Sequence, residues 1–131
     1  MVIDEQLLDG LTAQAKESPR LRMNLDLRNS AGDSSQRMLN AIEPGSVVPI
    51  HRHQKTSETM VVLRGSLEEE YYDDARNCVA KIELSAGGPA SALNIPAGQW
   101  HTLHAMESGT VILEMKDGAY EAIQPEDIMT I

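Results

Sequence analysis

The chain has 131 residues, with 11 Lys and Arg against 20 Asp and Glu, for a formal net charge of −9. It has four histidines, one cysteine, one tryptophan, three tyrosines and no phenylalanine. Cys78 alone cannot form an internal disulfide, no apolar run approaches the ~20 residues that span a bilayer, and the acidity argues against nucleic acid or an anionic membrane as partner.

This length is one domain's worth, so residues 1–131 are expected to form a single domain. Within it, 1–19 make a helical lead and 20–131 a β-barrel. The charge is uneven. Residues 1–64 carry eight basic and eight acidic side chains, whereas 65–131 carry three basic and twelve acidic. The opening MVIDEQLLDG has acids where a signal peptide needs Lys or Arg, so the expected compartment is the cytoplasm.

Taken in chain order, residues 4–17 read as a helix. Asp4 is the N-cap, and Leu7, Leu8, Leu11 and Ala15 recur on one face. Ser18-Pro19 ends it, because a residue before proline is pushed out of the α region. The period then changes to two: Met23, Leu25 and Leu27 alternate with Asn24 and Asp26. Short strands are predicted at 37–43, 46–50, 58–64, 67–72, 78–84, 91–95, 101–106, 110–116 and 119–124. Gly, Pro, Asp and Asn turns separate them, as in EPG (43–45), RGS (64–66) and KDG (116–118). Many short, evenly spaced strands predict an all-β sandwich or barrel with a short N-terminal helix. Without Phe, its core must be aliphatic plus Met.

The stretch Gly45 to Gly65 carries the chemistry. His51 and His53 are i and i+2 on a strand and project from one face. Glu58 follows the turn-prone QKTS, so the next strand returns it beside them. His101 comes later, after PAGQW. Three imidazoles and a carboxylate suit one divalent transition metal ion: Fe, Mn, Ni, Zn, Co or Cu. Such a shell leaves positions for water or substrate. His104, three residues from His101, falls on the opposite strand face.

These residues resemble the cupin motifs. Gly45 to Gly65 fits G-x5-HxH-x4-E-x6-G throughout, and PAGQWH fits the P-x-G-x2-H centre of the second motif. Ala90 and Ala105 stand where that motif usually has Gly and Asn. A narrower resemblance is to the WbuC-type cupin-fold metalloproteins of bacterial surface-polysaccharide genes. It rests on Ser18-Pro19-Arg20, QRMLNA (36–41), Pro44-Gly45-Ser46, Pro49 to His53, IPAG (95–98), Trp100-His101-Thr102 and EMK (114–116). Ala119 replaces that family's Pro, and its Trp-containing tail has no counterpart in IMTI (128–131). The resemblance implies a cupin-type β-barrel or jelly roll with the metal in its mouth. Pairing through edge strands, common among cupin barrels, implies a homodimer.

Other residues have two readings. Arg22, Arg28, Arg37, Arg52 and Arg64 are either anion clamps or structural ion pairs, with Arg37 the preferred substrate contact. Arg52, between the two histidines, faces away from the metal. Glu114 and Lys116, at i and i+2, are either a solvated face or an inward pair, with Glu114 a catalytic acid/base and Lys116 a substrate contact. Trp100 is either a pocket wall or packing. Cys78 is expected as a buried thiol.

Three functions follow. The first is a metal-dependent enzyme acting on a small polar molecule, a sugar or nucleotide sugar, along isomerase or epimerase lines. The second is a non-catalytic metal- or sugar-binding module. The third is an iron-dependent dioxygenase.

Overall fold

Asp4 starts the fold. Its Oδ1 accepts the Leu7 N–H at 3.0 Å and caps helix α1 (Glu5–Glu17). Leu8, Leu11 and Ala15 are buried on one side of α1, and the chain leaves the helix at an extended Ser18. The computed structural model describes all residues, Met1–Ile131.

Ten strands follow: β1 (Arg22–Asp26), β2 (Gln36–Ile42), β3 (Ile50–His51), β4 (Glu58–Arg64), β5 (Ser66–Tyr72), β6 (Cys78–Ser85), β7 (Ala92–Ile95), β8 (Trp100–Ala105), β9 (Thr110–Lys116) and β10 (Ile128–Met129). They form two five-stranded sheets, ordered β1-β2-β9-β4-β7 and β10-β3-β8-β5-β6. Every pairing is antiparallel. This is the expected mainly-β jelly roll with one N-terminal helix.

Strand alternation splits the apolar residues into two cores. Ile42, Met60, Val62 and Ile112 of the first sheet meet Leu67, Leu84 and Leu103 of the second inside the barrel. Leu39, Ala41 and Val111 lie on the outer face of the first sheet and bury Leu8, Leu11 and Ala15 of α1. Burying one such aliphatic side chain contributes about 1.5–3 kcal/mol, so α1 is held by its apolar stripe. Arg64 adds a polar staple: its guanidinium donates to Gly109 O, Asp9, Glu5 and Thr12. It is a structural ion pair, not an anion clamp.

The inner face changes character along the barrel. On β9 the inward residues run Ile112, Glu114, Lys116; on β4 they run Val62, Met60, Glu58. One end is therefore an apolar plug and the other a polar mouth.

Two predicted strands differ. Residues 46–50 pair only from Ile50 onward; Ser46 and Val47 instead meet Arg22. Residues 119–124 form no strand. That segment runs along the mouth, and the chain regains pairing only where Ile128 and Met129 meet His51 and Ile50. Cys78 is exposed, at the start of edge strand β6, rather than buried. No helix is long and apolar enough to cross a membrane.

Candidate metal centre and its cavity

His51 on β3 and His101 on β8 are direct cross-strand partners. Their ring centroids are 4.4 Å apart. His53, just past β3, is 5.0 Å from His51 and 6.0 Å from His101 by the same measure. One ring nitrogen from each of the three lies within 4.8 Å of the others. Glu58 arrives from the other sheet, as the first residue of β4, with Oε1 3.7 Å from His53 Nε2. The site thus lies where the two sheets face each other at the polar mouth.

The surroundings set the imidazole tautomers. His51 Nδ1 lies 2.8 Å from Pro49 O, a pure acceptor, so Nδ1 carries the proton and Nε2 keeps its lone pair. His101 Nδ1 lies 2.9 Å from Glu69 Oε1, and its Nε2 is buried with no partner. A buried polar atom left unpaired costs about 1–3 kcal/mol, so an orphaned ring nitrogen beside two other imidazoles requires an explanation. A metal ion supplies one. Burial pushes His51 and His53 down to about 4, with His101 adding to the shift of His51 and the Lys116 charge to that of His53. Burial lowers His101 as well. All three are neutral at neutral pH, the form that ligates. The residues fit a transition ion, with Glu58 available as the fourth donor.

Glu69 is not among the residues that the sequence analysis singles out. Leu67 and Tyr71 flank it at i±2, and that alternation was the signal that Glu69 points inward. It is fully buried. Burial, then the Glu58 charge, push its carboxyl up to about 9. A hydrogen-bonding group on the far nitrogen of a metal-binding imidazole fixes the orientation of the ring.

The histidines open onto a cavity of about 1000 Å3. Glu114 and Lys116 both line it, so they form an inward pair rather than a solvated face. Lys116 Nζ lies 3.5 Å from Glu58 Oε1, and both side chains are nearly buried. Burial, then the Glu58 charge, raise Glu114 to about 7, while Lys116 and a hydrogen bond from Asn40 oppose the rise. A carboxyl with that value can give or take a proton near neutral pH.

The other expected contacts sit elsewhere. Arg37 does not line the cavity. Its guanidinium donates to Ser35 O and Leu27 O and pairs with Asp33, so it secures the loop before β2. Trp100 is also outside the lining. Its indole N–H donates to Asp74, and the Arg52 guanidinium stacks on its ring at 4.4 Å. It is packing rather than pocket wall. Arg52 turns from the histidines to Asp127 and so ties the C-terminal segment to the β3 end. His104 pairs with Glu70 on the outer face. Arg22 and Arg20 do reach the cavity.

Comparison with known proteins agrees with this fold. The profile of a family described as a domain of unknown function (DUF6016) matches residues 3–84, which span α1 to β6 and include His51, His53 and Glu58. The chain belongs to this family. It is also 36% identical over 98 residues to germin-like protein 5-1 of Oryza sativa subsp. japonica, covering 72% of this chain and 36% of that protein. The chain thus spans about a third of the length of that curated relative. Among solved structures it is similar to KdgF from a Halomonas species, with a TM-score of 0.61, 17% identity, and coverage of 79% of this chain and 84% of the other. Oxalate oxidase in complex with glycolate gives 0.64 at 17% identity, covering 83% and 57%. The capsular polysaccharide assembling protein CapF from Staphylococcus aureus gives 0.63 at 17%, covering 83% and 34%. These likenesses establish the cupin fold.

Proposed function

We propose that this protein is a metal-dependent enzyme acting on a small hydroxylated molecule, a sugar or nucleotide sugar in bacterial surface-polysaccharide synthesis. One observation carries the reading. A cluster of neutral imidazoles with an orphaned buried nitrogen opens onto a cavity that also holds a carboxyl poised near neutral pH. A binding module needs the first feature but not the second. His51, His53, His101 and Glu58 hold the ion, which supplies Lewis-acid polarisation of a substrate oxygen. Glu114 holds or moves a proton at its carboxyl oxygen. Lys116 balances the Glu58 charge and donates to substrate oxygen. The polysaccharide context rests on the WbuC-like motifs, and CapF offers a fold relative whose name carries that role.

The test is turnover by metal-loaded protein on a panel of sugars and nucleotide sugars. The reading expects conversion by wild type, loss of conversion with loss of metal in His53→Ala, and loss of conversion with metal retained in Glu114→Gln. Tight ligand binding without conversion would favour the module. A strict iron requirement with oxygen uptake would favour the dioxygenase.

A further inference from the structure

Two arginines that line the cavity, Arg22 and the exposed Arg20, make no ion pair with the protein, although the Glu114 carboxyl in the same cavity attracts Arg22 from a longer range. The other arginines named as anion clamps are all engaged by protein: Arg28 by Asp26, Arg37 by Asp33, Arg52 by Asp127, and Arg64 by Glu5 and Asp9. Arg22, half-buried at the start of β1, is different. Its NH1 donates to Val47 O at 2.8 Å and to Ser46 Oγ at 3.3 Å, both uncharged acceptors. Ser46 is itself buried and donates to Arg20 O at 2.6 Å, so the arm that steers the guanidinium is fixed. Nε and NH2 remain without a protein partner and belong to a side chain that lines the cavity. Arg20 lines it too and adds a second positive charge. A partly desolvated guanidinium is ordinarily paired with an anion.

A second group nearby is also unpartnered. Asn40 faces the barrel interior on β2, beside Asn24 of β1 in the pairing register. Asn40 is 9% exposed and lines the cavity, and its Oδ1 is buried with no donor. Its amide lies against Glu114. An orphaned carbonyl oxygen facing a cavity calls for a hydroxyl or N–H from a ligand. Arg22 therefore asks for an oxyanion, and Asn40 asks for a hydroxyl donor.

We propose that Arg22, with Asn40 beside it, forms a second recognition pole of this cavity and selects hydroxylated small molecules that carry a carboxylate or phosphate. This rests on the reading of the histidine cluster as the reactive end, and it adds which substrates reach that end. The open Nε and NH2 edge of Arg22 takes two oxygens of the anion in parallel hydrogen bonds. Asn40 Oδ1 accepts from a ring or chain hydroxyl. Neutral sugars satisfy only the second contact. Lysine keeps the charge at position 22 but lacks the fork.

The test is calorimetric binding to metal-loaded protein. The probes are glucose, glucuronate, glucose 1-phosphate and UDP-glucose, measured with wild type, Arg22→Gln, Arg22→Lys and Asn40→Ala. The proposal expects at least one anionic probe to bind wild type tenfold or more tighter than glucose. Glucuronate against the two phosphorylated probes then separates the carboxylate from the phosphate source. Arg22→Gln should lose that preference, and Arg22→Lys should retain part of it. Asn40→Ala should weaken all probes alike. Metal content by elemental analysis should be unchanged in every variant, which separates this pole from the histidine cluster. Equal affinity for glucose and the anionic probes overturns the proposal, as does a preference that survives in Arg22→Gln, or the absence of binding by every probe to metal-loaded wild type. A wild-type protein that takes up no metal defeats the functional reading instead. In that case the same anion preference measured on metal-free protein decides the Arg22 pole by itself.

Discussion

His101 and Glu69 form a buried pair, Nδ1 to Oε1 at 2.9 Å, in which the imidazole is 4% exposed and the glutamate not at all. The pair links two strands, since β5 and β8 are neighbours in the second sheet. It leaves His101 Nε2 as the only buried imidazole nitrogen without a partner. Deleting the hydrogen-bonding group frees the ring to rotate. Glu69→Leu keeps approximate size and burial, so it should fold and still bind metal, but about 10–100-fold more weakly. Competition with a metallochromic chelator measures this. Unchanged affinity would mean that the pair only fills the core.

Glu114 gives a pH prediction for the metal-free protein. Its folded value of about 7 lies above the ordinary carboxyl value of 4.5. A raised value favours the folded state at low pH, and the advantage is lost as pH rises through the folded value. Wild type and Glu114→Gln should therefore respond differently to pH between about 4.5 and 7. Glu114→Gln should gain relative stability towards pH 8, on the order of 1–3 kcal/mol. Urea unfolding at pH 5 and pH 8 checks the sign. A variant whose stability difference from wild type is the same at both pH values would contradict it.

Gly65 closes the first histidine motif for a steric reason. Its φ is +86°, and a Cβ there would sit 2.7 Å from the Thr110 Cα. The β4–β5 turn passes directly against the start of β9. Gly65→Ala combines left-handed strain with a backbone clash and should cost about 3 kcal/mol or more. Gly98, also at positive φ (+86°), has open space around it, so Gly98→Ala should cost about 1–2 kcal/mol from strain alone. Thermal unfolding of the two variants side by side tests the distinction.

Arg64 predicts how α1 is attached. Its Nε–Gly109 O bond is 2.8 Å, and its NH2–Thr12 bond is 3.0 Å. The acidic partners Glu5 and Asp9 are largely exposed, so they contribute little. Arg64→Ala should destabilise by about 1–2 kcal/mol, whereas Glu5→Ala should cost under about 0.5 kcal/mol. Chemical denaturation of both variants measures the split.

Much of the fold was legible because period-two alternation and turn residues mark strands independently of their partners. The run 58–64 matches β4 residue for residue, and Asp4 caps α1. What failed depended on partners. Residues 119–124 read like a strand but pair with nothing: β2 and β4 already flank β9, and the chain regains a partner only at Ile128 and Met129, on the edge of β3. Glu69 was missed because three consecutive glutamates suggest a solvated run, whereas alternation with Leu67 and Tyr71 turns the middle one inward. Sequence favours Arg37 over Arg22 as the substrate contact. Only the tertiary contacts show that one is spent on Asp33 and the other faces a cavity. The histidine cluster was legible because HxH is a local pattern and His101 sits in its own motif.

The most direct measurement is the metal content of the purified chain by elemental analysis, after dialysis against a mixture of first-row divalent ions. The account predicts one transition-metal ion per wild-type chain and none in a folded His53→Ala/His101→Ala variant. A wild-type chain that retains no ion, or a double variant that retains the full complement, would contradict it.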